Sequence, residues 1–218
     1  MSFMVQPLLS VLGFYPLTSL PAPIPMAQDE QIAVGCSTVN VRSPVIDEGW
    51  ALQCHALLSL ENIEPETALS QLGEPLLEWR PAHSEFGMTV HATSVHTHDD
   101  TRDFGIGFSQ RIWFVEEEPI MVGFQGDLGT WWIHLGVPLV MKPNDWLHVY
   151  ARPAWHVPLG YILPLGSSIR LGEFVVSGEY RFGQNRDIAK SGDRLIAHRS
   201  LGLEVSWRPR GLERIEVR

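Results

Sequence analysis

The sequence predicts an all-β fold, an antiparallel up-and-down β-barrel of about eight strands behind a Pro-rich N-terminal extension. Three observations predict it. Apolar residues recur at every second position in most segments after Trp50, and clusters of Gly, Pro, Asn and Asp punctuate those runs. Helical spacing of apolar residues is hard to place after residue 75. The 218-residue length suits one domain. The expected division is an export signal or irregular leader over 1–30, an N-terminal extension over 31–49, the barrel over 50–208 and a tail over 209–218.

The longest alternating run sets Leu147, Val149, Ala151, Pro153, Trp155, Val157 and Leu159 against His148, Tyr150, Arg152, Ala154 and His156. It exceeds the usual globular strand of about 5–6 residues and matches the roughly 9–11 that cross a bilayer. Phe174, Val176, Gly178, Tyr180 and Phe182 oppose Glu173, Ser177, Glu179 and Arg181, with Val175 as an apolar intruder. Phe104, Ile106, Phe108, Ile112 and Phe114 oppose Gly105, Gly107, Ser109 and Arg111, and Leu201, Leu203, Val205 and Trp207 oppose Ser200, Gly202, Glu204 and Ser206. Segments at 50–60, 76–97, 120–126 and 131–140 complete the expected set. Turns are expected at Gly126 to Gly129, Lys142 to Asp145, Pro164 to Ser167 and Gly183 to Asp187, and a helical turn at Glu64 to Gln71.

Residues 1–30 carry Pro7, Pro16, Pro21, Pro23 and Pro25, a density that favours irregular structure and keeps them out of the expected core. The apolar stretch Phe3 to Leu20 reads as an export signal better than as a spanning helix, although the first basic residue is Arg42 and Ala27 follows a weak cleavage sequence. A disordered leader of a soluble protein is the alternative. Cys36 and Cys54 have no zinc-site spacing, which leaves a disulfide or two buried thiols.

The charged fraction is 19%, below the roughly 25% of soluble domains. Net charge is −9, so counterion-releasing contact with nucleic acid is not expected. If the apolar face meets lipid, the polar residues Arg111, Arg152, Glu173, Glu179, Arg181 and Glu204 face a lumen, where they pair with one another. Trp50, Trp113, Trp131, Trp132, Trp146, Trp155 and Trp207 fall near expected strand ends, as an aromatic girdle requires. In a soluble barrel the faces reverse, and the tryptophans pack a core.

Ser200-Leu201-Gly202-Leu203-Glu204-Val205-Ser206-Trp207 resembles the last-strand signal of bacterial outer-membrane β-barrel proteins: polar, any, Gly, any, any, hydrophobic, any, aromatic. In that family the aromatic usually ends the chain, whereas here eleven residues follow it. The resemblance implies a lipid bilayer or lipopolysaccharide environment and insertion by barrel-assembly machinery.

Candidate chemistry is sparse. His96, His98, Asp100 and Asp103 form the densest group of potential metal ligands, but a polar stretch between strands is more simply a solvated loop, and no metal or other cofactor is assigned. His148 and His156 are roughly 26 Å apart along one strand at ~3.3 Å per residue, too far to share a ligand. His198-Arg199-Ser200 resembles the His-x-Ser element of outer-membrane lipid A deacylases, with Glu204 or Glu213 as third member, although Leu201 stands where that family has Asn. Phosphate loops and nucleophile elbows are absent, and Gly166-Ser167-Ser168 does not match. The leading expectation is a non-enzymatic outer-membrane barrel with a structural, adhesive or small-solute role. The rival is a soluble exported barrel or sandwich that binds a hydrophobic or carbohydrate ligand, and a lipid hydrolase is third.

Overall fold

The computed structural model describes residues 21–27, 29–43, 46–60, 83–96, 101–117, 119–129, 133–157, 160–186 and 195–210. Its strands are β1 (Ile32–Ser43), β2 (Ile46–Leu60), β3 (His83–His96), β4 (Thr101–Glu117), β5 (Ile120–Gly129), β6 (Ile133–Gly136), β7 (Leu139–Asn144), β8 (Leu147–Ala151), β9 (Ala154–Val157), β10 (Gly160–Leu171), β11 (Phe174–Arg186) and β12 (Leu195–Trp207). Every pairing is antiparallel, and β12 closes on β1.

Two pairs of short strands are each one strand interrupted by a proline. The pairing Gln125↔Gly136 of β5 with β6 continues without slip as Val122↔Leu139 of β5 with β7. On β10, Ile162↔Ala154 likewise continues as Leu165↔Ala151. Backbone bonds carry the ladders across both breaks: Gly123 N to Pro138 O at 3.0 Å, Val137 N to Pro153 O at 3.0 Å and Arg152 N to Pro164 O at 2.9 Å. The barrel therefore has a closed ring of ten strands, with β7 and β8 extending β6 and β9.

Pairing from Val34 through Ala56, Met88, Phe108, Leu128 and Ile133 leads round the ring toward Leu195, whereas Val34 itself pairs with Trp207. A stagger of about twelve residues tilts the strands into the roughly 35–45° range of closed barrels.

The expected count of about eight is corrected to ten, because β1 and β10 escaped the pattern. In β1 the outward residues Val34, Cys36, Thr38, Asn40 and Arg42 are no more apolar than the buried Ala33, Gly35, Ser37, Val39 and Val41, so alternation carries no face label. The barrel thus begins at Ile32, within the segment assigned to an extension. In β10, Pro164 to Ser167 is mid-strand and not a turn: Pro164 sits beside the break at Arg152, and Gly166 lies opposite Tyr150. Gly126 to Gly129 is likewise inside β5, and Gly183 to Arg186 inside β11. Turns do form at Asp145-Trp146, where Asn144 Oδ1 accepts the N–H of Trp146 and Leu147, and at Gly172-Glu173, where Gly172 has φ 65°. The helical turn expected at 64–71 and the signal expected within 1–20 lie outside the described residues.

Cys36 and Cys54 are paired across β1 and β2 and form a disulfide, with Cα atoms 4.0 Å apart.

Candidate functional site

Alternation gives the barrel two chemically opposite faces. Outward on β4, Phe104, Ile106 and Phe108 are exposed, Phe104 by 64%. The same holds for Val149 and Trp155, for Phe174, Val176, Tyr180 and Phe182, and for Leu201, Leu203, Val205 and Trp207. Inward, the wall is mostly small, polar or charged, with apolar patches that include Leu57, Met121 and Val140. Large side chains there lie over glycines on the next strand: His55 faces Gly35, His91 faces Gly105, His198 faces Gly183, Tyr150 faces Gly166 and Trp113 faces Gly123. A Cβ on each of these glycines would come within 2.9 Å of the ring it faces. These five interior glycines thus mark ring positions, and two of them, Gly166 and Gly183, read as turn signals in the sequence.

Of the residues expected to face a lumen, Arg111, Arg152, Glu179, Arg181 and Glu204 are buried inside the ring, Arg111 completely. Arg111 Nη1 is 3.3 Å from Glu85 Oε2 on the adjacent strand, and Arg152 Nη2 is 3.2 Å from Glu179 Oε2. Arg181 Nε also donates to Glu179. Glu173 is a correction: it occupies the exposed β10–β11 turn, where its Oε2 accepts from Trp207 Nε1 at 2.9 Å.

Among the expected girdle residues, Trp155 pairs with Tyr161 near one rim, on which side Trp50 also lies, and Trp207 pairs with Phe174 at the other, where Trp146 occupies a turn. All four tryptophans are exposed. Trp113 is a second correction, because it points inward and donates from Nε1 to Glu85 Oε1 at 3.3 Å. Odd and even positions of β4 face opposite ways, and Trp113 shares parity with Arg111. Trp131 and Trp132 lie outside the described residues.

Residues 21–27, kept out of the core on sequence grounds, run inside the barrel. Ala22, Ile24 and Met26 are buried: the first two pack with Trp113, Met121, Val140 and Tyr150, the third with Ala33 and Leu57. Proline at 21, 23 and 25 removes every second backbone donor, and each remaining N–H finds an acceptor. Ala22 N donates to Glu204 Oε2 at 2.7 Å, Ile24 N to Ala22 O at 2.8 Å, Met26 N to Glu85 Oε1 at 2.8 Å and Ala27 N to Glu30 Oε2 at 3.0 Å. The Pro21 carbonyl accepts from Arg111 Nη2 at 2.8 Å and Arg152 Nη1 at 3.0 Å, and Arg208 Nη1 reaches the carbonyls of Ile24 and Pro25 at 3.2 Å. At the mouth, Glu30 is held by Arg170 and faces Arg208 and Arg210.

Sequence reasoning missed Glu85, Arg208, Glu30 and this segment. Strict Pro alternation at 21, 23 and 25 was the legible signal for the segment, since it describes a chain that can be buried without a ladder partner.

Among the described residues, a cavity of about 10 Å³ between Ala22, Ser37, Tyr150, Ser177 and Glu204 holds roughly one water, and a second of about 590 Å³ is lined by Asn40, Arg42, Tyr180, His198 and Ser200. His198 and Ser200 point into the lumen, and their side-chain polar atoms have no hydrogen-bond partner among the described residues. Glu204 is engaged with Ala22 and lies 3.7 Å from His55. The His198–Ser200–Glu204 grouping of the third-ranked hydrolase reading is therefore not assembled, and it faces away from any lipid; Glu213 lies outside the described residues. The same holds for residues 97–100 and for the side chains of His96 and Asp103, the group read as a solvated loop and not assigned a metal.

A soluble barrel turns its apolar face inward, and this one turns it outward. Its strands span a lipid bilayer. No protein-family model and no curated protein matches the chain. Among solved structures it is similar to the S-type phycobiliprotein lyase CPES from Guillardia theta, with 8% identity, 82% of this chain and 88% of that one covered, and a TM-score of 0.45. It is similar also to the translocator domain of the autotransporter NalP from Neisseria meningitidis, with 8% identity, 82% and 89% covered, and a TM-score of 0.44. A third is the Acinetobacter baumannii outer membrane protein Omp33, with 11% identity, 83% and 98% covered, and a TM-score of 0.40.

Proposed function

We propose that the protein is a non-enzymatic barrel of the bacterial outer membrane whose lumen is sealed by its own residues 21–27, and whose role is structural or adhesive. The carrying observation is the pairing of an apolar outer band with an interior filled by charged side chains and a backbone segment. An open channel needs a continuous aqueous path, and the Arg111, Arg152 and Glu204 bonds to the segment block it at mid-barrel. Small-solute passage would require the segment to leave.

Exposed tryptophans toward both rims suit the two interfaces of a bilayer, and the outer-leaflet partner we assign is lipopolysaccharide. The Ser200 to Trp207 signal lies on the strand that closes the ring, which suits recognition by assembly machinery. A disulfide fits an oxidising compartment. The soluble ligand-binding reading is set aside because Leu201, Leu203 and Val205 face outward.

Cell fractionation, heat-modifiable gel migration and planar-bilayer conductance test the proposal together. We expect the protein in the outer-membrane fraction, faster migration before heating, and no conductance above that of the bare bilayer. Recovery in the periplasm would overturn the membrane reading, and a steady large conductance would overturn the sealed lumen.

A further inference from the structure

We propose that the lumen is a binding site for an extended, proline-bearing peptide backbone, and that residues 21–27 are its resident, displaceable occupant. The inference rests on the sealed-barrel reading and adds the chemical class that the site takes.

One peptide group is gripped from both sides. The carbonyl of Pro21 receives two guanidinium groups, from Arg111 at 2.8 Å and Arg152 at 3.0 Å, and the N–H of the same peptide unit, on Ala22, goes to the Glu204 carboxylate at 2.7 Å. Charge-assisted bonds of this kind are the strong ones, and here all three address backbone. The pattern repeats along the segment, where Glu85 takes the N–H of Met26 and Arg208 gives to the carbonyls of Ile24 and Pro25.

Recognition by backbone is indifferent to most side chains but demanding about donors. A peptide with proline at alternate positions offers an N–H only where an acceptor waits, so it enters a poorly hydrated lumen without stranding a polar group. Ile24, against Trp113 and Tyr150, adds a preference for an aliphatic side chain at that position.

The described backbone–backbone bonds of residues 21–27 run within residues 21–30, and none joins a barrel strand. The wall groups have partners of their own, Arg111 with Glu85 and Arg152 with Glu179. They keep their positions when the segment leaves, and a second peptide finds a preorganised site.

The test sets one substitution in two places. Ala22→Pro in the full chain removes the N–H given to Glu204 without touching the wall; in a fluorescein-labelled synthetic peptide of residues 20–28 it weakens the competitor instead. Binding is read by fluorescence anisotropy with the folded full chain in detergent micelles. We expect the Ala22→Pro chain to bind the unaltered peptide about tenfold more tightly than the unaltered chain does, and the substituted peptide to bind about tenfold more weakly. Met26→Pro in the chain, which removes the N–H given to Glu85, provides an independent second variant should the first not fold. Heat-modifiable migration certifies each barrel, and conductance of the unaltered chain reports separately on the sealed lumen. Folded variants that bind the peptide no better than the unaltered chain, or not at all, would overturn the proposal while leaving the sealed barrel standing.

Discussion

Arg152 reaches over the intervening strand β10 to Glu179 on β11, with Nη2 3.2 Å from Oε2 and both side chains buried. Glu179 also accepts from Arg181, so one carboxylate balances two guanidinium groups. Removing it takes the shared carboxylate from both, whereas removing Arg181 leaves the Arg152–Glu179 pair in place. Glu179→Leu is expected to cost about 3–5 kcal/mol and Arg181→Met less, with Arg181→Met/Glu179→Leu recovering part of the larger loss. Urea titrations of the lipid-refolded variants check the order, and an Arg181→Met loss equal to that of Glu179→Leu would contradict the shared-carboxylate geometry.

The two faces make opposite demands on neighbouring residues of β12. Leu203 is 57% exposed on the outer band, and Gly202 faces the lumen with its nearest would-be contacts at 3.5 Å, ordinary van der Waals distance. Leu203→Arg is expected to cost about 2–4 kcal/mol in a bilayer, and Gly202→Ser much less. Equal refolding yields and urea midpoints for the two would argue against lipid contact at Leu203.

His91 occupies the space above Gly105, where an added Cβ would lie 2.3 Å from the ring. Gly105→Ala is expected to cost about 1–3 kcal/mol by overpacking. In Gly105→Ala/His91→Ala the added methyl group has room, so the double variant should lose less than the sum of the single changes. Strict additivity in a double-mutant cycle would show that the ring and the glycine are energetically independent.

At the mouth, burial alone would raise the Glu30 carboxyl above its ordinary value near 4.5, but the Arg170 hydrogen bond and the Arg208 charge, with a further bond from Ala27 N–H, outweigh burial and hold it lower. A lowered folded value means that the stability Glu30 contributes is complete above its unfolded value and is lost as pH falls through the folded one. The unaltered chain should therefore lose urea resistance below about pH 4.5 more steeply than Glu30→Gln does. Parallel pH profiles for the two proteins would remove Glu30 from the clasp between residues 21–30 and the wall.

Alternation is a local property of an extended backbone, so the sequence alone determined which side chains share a face: Leu201, Leu203, Val205 and Trp207 on one, Ser200, Gly202, Glu204 and Ser206 on the other. The antiparallel all-β class followed from the same signal. Its direction did not, because the period is identical whether the apolar face meets a core or lipid; only ring closure, with Arg111, Arg152 and Glu179 enclosed and Phe104 exposed, decided it. Strand number also lay beyond local pattern, since β1 lacks a polarity contrast and Pro164 and Gly166 of β10 read as a turn until Arg152 and Tyr150 of the preceding strand pair are placed beside them. Alternation already sets Trp113 on the face of Arg111 and Trp207 on the face of Leu203 and Val205, and the structure decides which of the two faces is the lumen. The burial of residues 21–27 was decided latest of all: their prolines determine where donors are missing, but the acceptors that complete the account, Glu204, Glu85 and Glu30, come from distant parts of the chain and from the adjoining turn, and meet only when the ring has closed.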